Sequence, residues 1–154
     1  MGRPPVESTE FPAWVDLPVE WNHLDAFGHV NNTHYIRWFE SARVAYLQRC
    51  GLIEWMAADP AGPILASIEC HYRRPLHFPD TVRIGARVCE LGRTRLVLYH
   101  IVYSLEEGQV VADGRSHVVL FDYSRQRPTR IDPQYRRQIE SFEATAVPIE
   151  EAAN

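Results

Sequence analysis

The residues most able to do chemistry stand close together near the start of the chain: Asp25, Gly28, His29 and Asn32, in a segment that also carries His23, Asn31 and His34. A carboxylate can attack an acyl carbon or take a proton from the water that does so. The negative charge that then builds on the acyl oxygen needs fixed donors, and unpaired amides at the start of a helix supply them. If a helix opens near Asn32 and Thr33, Asp25 stands beside such donors, and the pair suits hydrolysis of an activated acyl group. Gly28 lets the intervening loop turn sharply and lets its backbone approach a ligand. Each of these residues also has an ordinary use: Asp and Gly make turns, Asn caps helices, and a loop histidine often faces solvent. His23, His29 and His34 are separated by six and five residues, which does not match a helical pair of metal ligands, and no acidic ligand completes a set. Neither a metal nor another cofactor is expected.

The elements on either side must hold this segment in place. Before it, Val15, Leu17, Val19 and Trp21 alternate with polar residues or Pro18, which predicts a strand over 13–21 that Pro18 confines to an edge. After it, Tyr35, Phe39, Ala42, Tyr46 and Cys50 recur at three- and four-residue steps, which predicts a long amphipathic helix. Asn31 or Asn32 can cap its start and Gly51 its end. Alternation then predicts strands over 64–72, 82–90, 94–105 and 110–123, joined as an antiparallel meander through Gly92 and Gly108. Asp132 caps a short final helix with Tyr135, Ile139 and Phe142 on its apolar face. The class is therefore α+β. The stretch 96–103 is apolar at both strand parities, so both of its faces need cover. One helix covers one face, and a second copy of the chain is expected on the other.

A chain of 154 residues with 45% hydrophobic and 23% charged residues suits one packed domain. Residues 1–12 and the acidic 144–154 read as flexible ends around a domain over 13–143. The net charge of −4 gives no general attraction to nucleic acid. Cys50, Cys70 and Cys89 lack metal-site spacing and read as structural thiols. No stretch is apolar and long enough to span a membrane or to act as a leader, so a cytoplasmic location is the default.

The run from Trp21 to Asn32, followed by Tyr35, Phe39-Glu40 and Arg43, resembles the signature of the 4-hydroxybenzoyl-CoA thioesterase-like family of hotdog-fold acyl-CoA thioesterases. Tyr72-Arg73-Arg74-Pro75, Asp80-Thr81-Val82, Gly92, Gly114 and Arg127-Pro128 extend the likeness over about 14–135. The resemblance implies an antiparallel sheet of about five strands wrapped around one long central helix. It also implies homodimers or homotetramers assembled through the sheets, with active sites between subunits. Asp25 would be nucleophile or general base, and a backbone amide near Asn32 would polarise the thioester carbonyl. Where many relatives have a second acid, this chain has His23, expected to face solvent; Glu40 is accounted for by pairing with Arg37 or Arg43. The phosphates of coenzyme A would meet Arg93, Arg95, Arg125, Arg127 or Arg130, and Tyr35, Trp38, Phe39, Trp55 and Met56 offer apolar area for the acyl group. The expected reaction is hydrolysis of an acyl-CoA to the free acid and coenzyme A. The alternatives are action on acyl groups carried by acyl carrier protein, or acyl-CoA binding without catalysis.

Overall fold

A computed structural model describes residues 2, 4–53, 57 and 60–152. One short strand and one edge strand come first, β1 (Glu10–Phe11) and β2 (Ala13–Pro18), then a single 3-10 turn over Trp21–His23. The strand predicted over 13–21 thus stops at Pro18, whose ring removes the donor needed to extend the ladder. The central helix α1 spans Thr33–Arg49. It ends where Gly51 takes a positive φ of 77°, the left-handed stop expected of that glycine.

The meander follows as β3 (Ala61–Tyr72), β4 (Thr81–Leu91), β5 (Arg95–Ser104) and β6 (Gln109–Asp122), with β7 (Arg127–Pro128) appended to β6. The sheet order is β2-β4-β5-β6-β3, with every pairing antiparallel. α2 (Pro133–Glu143) starts as the sequence requires, with Asp132 accepting from Gln134 N at 2.8 Å and Pro133 in its first turn. β8 (Val147–Pro148) closes the chain. A five-stranded curled sheet around one long helix is the hotdog arrangement.

α1 buries Phe39, Ala42 and Tyr46 completely against the inner face of the sheet, where Val82, Ile84, Ala86 and Leu98 meet them. One polar group is sealed in this layer. His100 is fully buried and stacks on Phe39 with ring centres 4.8 Å apart. Its Nδ1 lies 3.1 Å from the Gly85 carbonyl, which can only accept, so Nδ1 carries the proton and Nε2 accepts from Ser116 Oγ at 2.9 Å. Ser116 Oγ in turn accepts from Arg43 at 3.1 Å. Every partner in this chain suits a neutral ring. Burial, with the Arg43 charge as a lesser cause, pushes the His100 pKa down to about 3.

The outer face departs from the expectation of a second copy. Tyr99 and Ile101 of β5 are covered there by Phe11 and Ile149, both fully buried, with Val6 packed alongside. β1 and β8 pair with each other, Phe11 opposite Val147, and the Phe11 ring sits where a Cβ on Gly85 would lie, 2.6 Å from its nearest atom. Arg83, only 3% exposed, grips Asp16 through Nε and Nη2 at 2.7 and 2.8 Å and donates through Nη1 to the carbonyls of Ile149 and Ala152. Parts of both ends, read from composition as loose, therefore pack as a strap. Their few apolar residues suffice because they land on an apolar face that would otherwise meet water.

Candidate active site

The loop from Leu24 to Val30 is a closed turn organised by Asp25. Its amide donates to the His29 carbonyl at 2.7 Å and its carbonyl accepts from Gly28 N at 3.1 Å. One carboxylate oxygen, Oδ1, accepts from Phe27 N at 2.8 Å and His29 N at 3.2 Å. Gly28 makes this possible with φ at 77°, where a side chain would be strained. The other oxygen, Oδ2, receives no hydrogen bond among the described residues. The carboxylate is therefore oriented through one atom and open through the other.

The start of α1 lies beside it. Asn31 Oδ1 accepts from Thr33 N at 3.0 Å and from the Thr33 hydroxyl at 2.9 Å, so the Thr33 amide expected as an oxyanion donor is already taken. Asn32 N donates to nothing among the described residues, and its carbonyl accepts from the Tyr72 hydroxyl at 3.1 Å. Asp25, His29, Val30, Asn32, Tyr35, Tyr72, Arg73, Arg74 and Pro75 line one cleft of about 360 Å³. Tyr35 and Val30, 3% and 6% exposed, lie deepest in it, and Arg74 is exposed. Tyr35 packs edge-on against Tyr72 at 5.0 Å, and burial raises its phenol pKa further above the usual range. Three of the four predicted catalytic residues thus share a cleft with Tyr35, and Gly28 shapes the loop behind them.

The predicted phosphate-binding arginines lie elsewhere on the chain. Arg93 and Arg130 border a second cleft of about 760 Å³ with Ala61, Asp122, Asp132 and Arg136. Arg125 leans on Asp122 at 3.8 Å, Arg127 is exposed on β7, and Arg95 is exposed at the start of β5. The second cleft borders the Ala61 end of β3 and the Asp25 cleft borders its Tyr72 end, so the length of the strand separates them within one chain. Arg73, Arg74 and Pro75 were not singled out from sequence as site residues. The signal was two arginines and a proline ending a strand; what it lacked was the fold that brings this strand end to the start of α1.

Several neighbours take roles other than those expected. His23 has a side chain only 16% exposed. Its Nδ1 accepts from Glu20 N at 3.1 Å, and its ring packs at a tilt against His34 with centres 4.2 Å apart, so it braces the turn before the loop and does not face solvent. Burial, then the His23 ring, lowers the pKa of His34. Arg43 turns inward to Ser116, and neither expected partner of Glu40 forms an ion pair with it among the described residues. Burial lowers the Arg43 pKa while Glu40 opposes that shift. Trp38 and Phe39 are core residues, and Trp55 and Met56 lie outside the described residues. No group of three or more His, Cys, Asp or Glu among the described residues is placed to hold a metal ion, and no described helix is long and apolar enough to cross a membrane.

Residues 19–139 match the family model of the Thioesterase-like superfamily, and the chain belongs to that superfamily. It is similar to the long-chain acyl-CoA thioesterase FadM of Escherichia coli, with 30% identity over 128 residues, 83% of this chain and 97% of that protein. It is 24% identical over 129 residues to the acyl-acyl carrier protein thioesterase ATL3 of Arabidopsis thaliana, covering 83% of this chain and 67% of the relative. Among solved structures, a Thermus thermophilus thioesterase complexed with coenzyme A and zinc superposes with a TM-score of 0.75 at 31% identity, over 87% of this chain and 96% of that one.

Proposed function

We propose that this thioester hydrolase cleaves acyl-CoA to a free carboxylic acid and coenzyme A, with Asp25 as the reacting acid and the Asn32 amide as oxyanion donor. The observation that carries the reading is the division of labour at Asp25: Oδ1 is held by two amides while Oδ2 is open to a cleft shared with the unpaired Asn32 N. A thioester carbonyl seated there meets the free carboxylate oxygen on one side and the amide on the other. Oδ2 then either attacks the carbonyl carbon or takes a proton from an attacking water, and the charge that develops on the carbonyl oxygen falls on Asn32 N. Collapse of the tetrahedral species expels the coenzyme A thiolate, which takes up a proton; on the water route the acid is then free, and on the attack route a water hydrolyses the Asp25–acyl anhydride to release the acid and restore the carboxylate. His29 contributes its amide to the carboxylate, and Tyr35 forms the apolar floor against which the acyl group rests.

The active unit in this reading is a homodimer or a higher homo-oligomer. β3 pairs with β6 along one side only, and Leu65, Ala66 and Ser67 at its middle are exposed. A second copy laid antiparallel along β3 across a two-fold axis sets the Ala61 end of one strand beside the Tyr72 end of the other. That symmetry carries the partner's Arg93 and Arg130 toward the Asp25 cleft and reconciles the two clefts with one substrate. A monomeric mass in light scattering at micromolar concentration would overturn this assembly.

The direct test is thiol release from a panel of acyl-CoAs by the wild type beside Asp25→Asn. Release by the wild type and its loss in the variant support the reading; equal release by both overturns the role of Asp25. The likeness to a plant acyl-acyl carrier protein thioesterase favours a second reading, in which the acyl group arrives on a carrier protein. The same acyl chain presented on both carriers separates the two.

A further inference from the structure

Two arginines end β3's side of the cleft, and the fold uses them differently. Arg73 is committed: its guanidinium takes Asp113 in a two-point pair at 2.6 and 2.9 Å, and Asp113 is 3% exposed and also accepts from the Tyr99 hydroxyl. Arg74 is not. Its amide joins that of Arg73 in donating to the Val111 carbonyl, at 3.1 and 2.9 Å, so the backbone is fixed, and Pro75 follows with its own fixed φ. Yet the Arg74 guanidinium has no hydrogen-bond or ion-pair partner among the described residues, and it lines the same cleft as Asp25.

We propose that Arg74 is a specificity residue that holds a phosphate of the coenzyme A handle and so sets the preference for this carrier over phosphate-free thioesters. The inference rests on the proposed acyl-CoA reading. Its physical basis is position and charge. Tyr35 and Val30 are buried at the floor while Arg74 is exposed at the rim, and the long pantetheine arm puts the phosphates of a bound acyl-CoA at the rim, away from the reacting carbonyl. A guanidinium offers a planar fork of donors matched to phosphate oxygens. Arg74 lies beyond the last residue of β3, outside the run that a second copy would pair with, and the net charge of −4 gives the rest of the surface no general pull on anions. Asp25 and His29 are the other titratable side chains that share the cleft with the two arginines and the two tyrosines.

The test compares kcat/KM for one acyl group carried on coenzyme A and on N-acetylcysteamine, which has no phosphate. Arg74→Gln is expected to lower the ratio of the two by about tenfold or more, and Arg74→Lys, which keeps a point charge without the fork, to recover part of it. An unchanged ratio overturns the proposal. An equal loss on both substrates overturns it too, and assigns the guanidinium to the acyl group instead. If the wild type cleaves neither thioester, the hydrolase reading fails, and calorimetric binding of coenzyme A still decides the contact: about tenfold weaker binding to Arg74→Gln supports it, and equal binding to both proteins ends it.

Discussion

The outer face of the sheet and the cleft at the start of α1 both draw on arginine and aspartate, and leave several of them in opposite states. On the outer face Arg83 satisfies Asp16 and two tail carbonyls, Arg73 satisfies Asp113, and Tyr99 bridges Asp113 to the Glu7 amide. Glu7 also pairs with Arg115. In the cleft one oxygen of Asp25, the amide of Asn32 and the guanidinium of Arg74 lack partners among the described residues. Paired groups fix geometry, whereas open groups in a concave site remain available to a ligand. The difference separates residues that hold the fold from residues left open to a ligand.

The sharpest way to break that contrast is Asp25→Asn. The amide oxygen can still accept from Phe27 N and His29 N, so the loop should persist and the melting temperature should hold, while turnover falls by roughly 10³-fold. Turnover near the wild-type value would show that the open oxygen is not the reacting one. Next in size is Arg83→Met, which removes the donor from two tail carbonyls and strands Asp16. A loss of about 3 kcal/mol is expected from denaturant unfolding, with activity per folded molecule retained. A negligible loss would mean that Phe11 and Ile149 hold the strap by packing alone.

His100 tests the inner layer. Its folded pKa of about 3 lies below the ordinary 6.5, so the unfolded chain takes up a proton first as pH falls. Its contribution to stability is complete above about 6.5 and is lost as pH drops toward 3, by at most about 1.4 kcal/mol per unit. Unfolding midpoints followed across that window should show the slope in the wild type and a shallower one in His100→Gln; equal slopes would place the acid sensitivity elsewhere. The smallest effect is expected from Gly28→Ala. The added methyl group meets nothing within 4 Å, so the cost is that of the left-handed backbone alone, about 1 kcal/mol.

These outcomes bear mainly on residues whose neighbours, not whose types, decide their roles, and the same division explains what could be read in advance. Helical spacing from Tyr35 to Cys50 and alternation along β3 to β6 place the layers, because each pattern reflects one local period and one buried face. Asp25, Gly28 and Asn32 were legible because turn and cap chemistry act within a few residues. Arg73 and Arg74 were not separable: only the register of β3 against β6 shows that Asp113 takes one and leaves the other. The strap was hidden for a related reason, since a two-residue strand carries no periodicity and its partner lies at the far end of the chain.

That last pairing has a consequence for synthesis. Among the described residues the strand pairing of β1 is with β8 alone, so β1 cannot complete that pairing until β8 has been made. Until then the part of the cover over Tyr99 and Ile101 that Ile149 supplies is missing, and some apolar surface stays open to other chains.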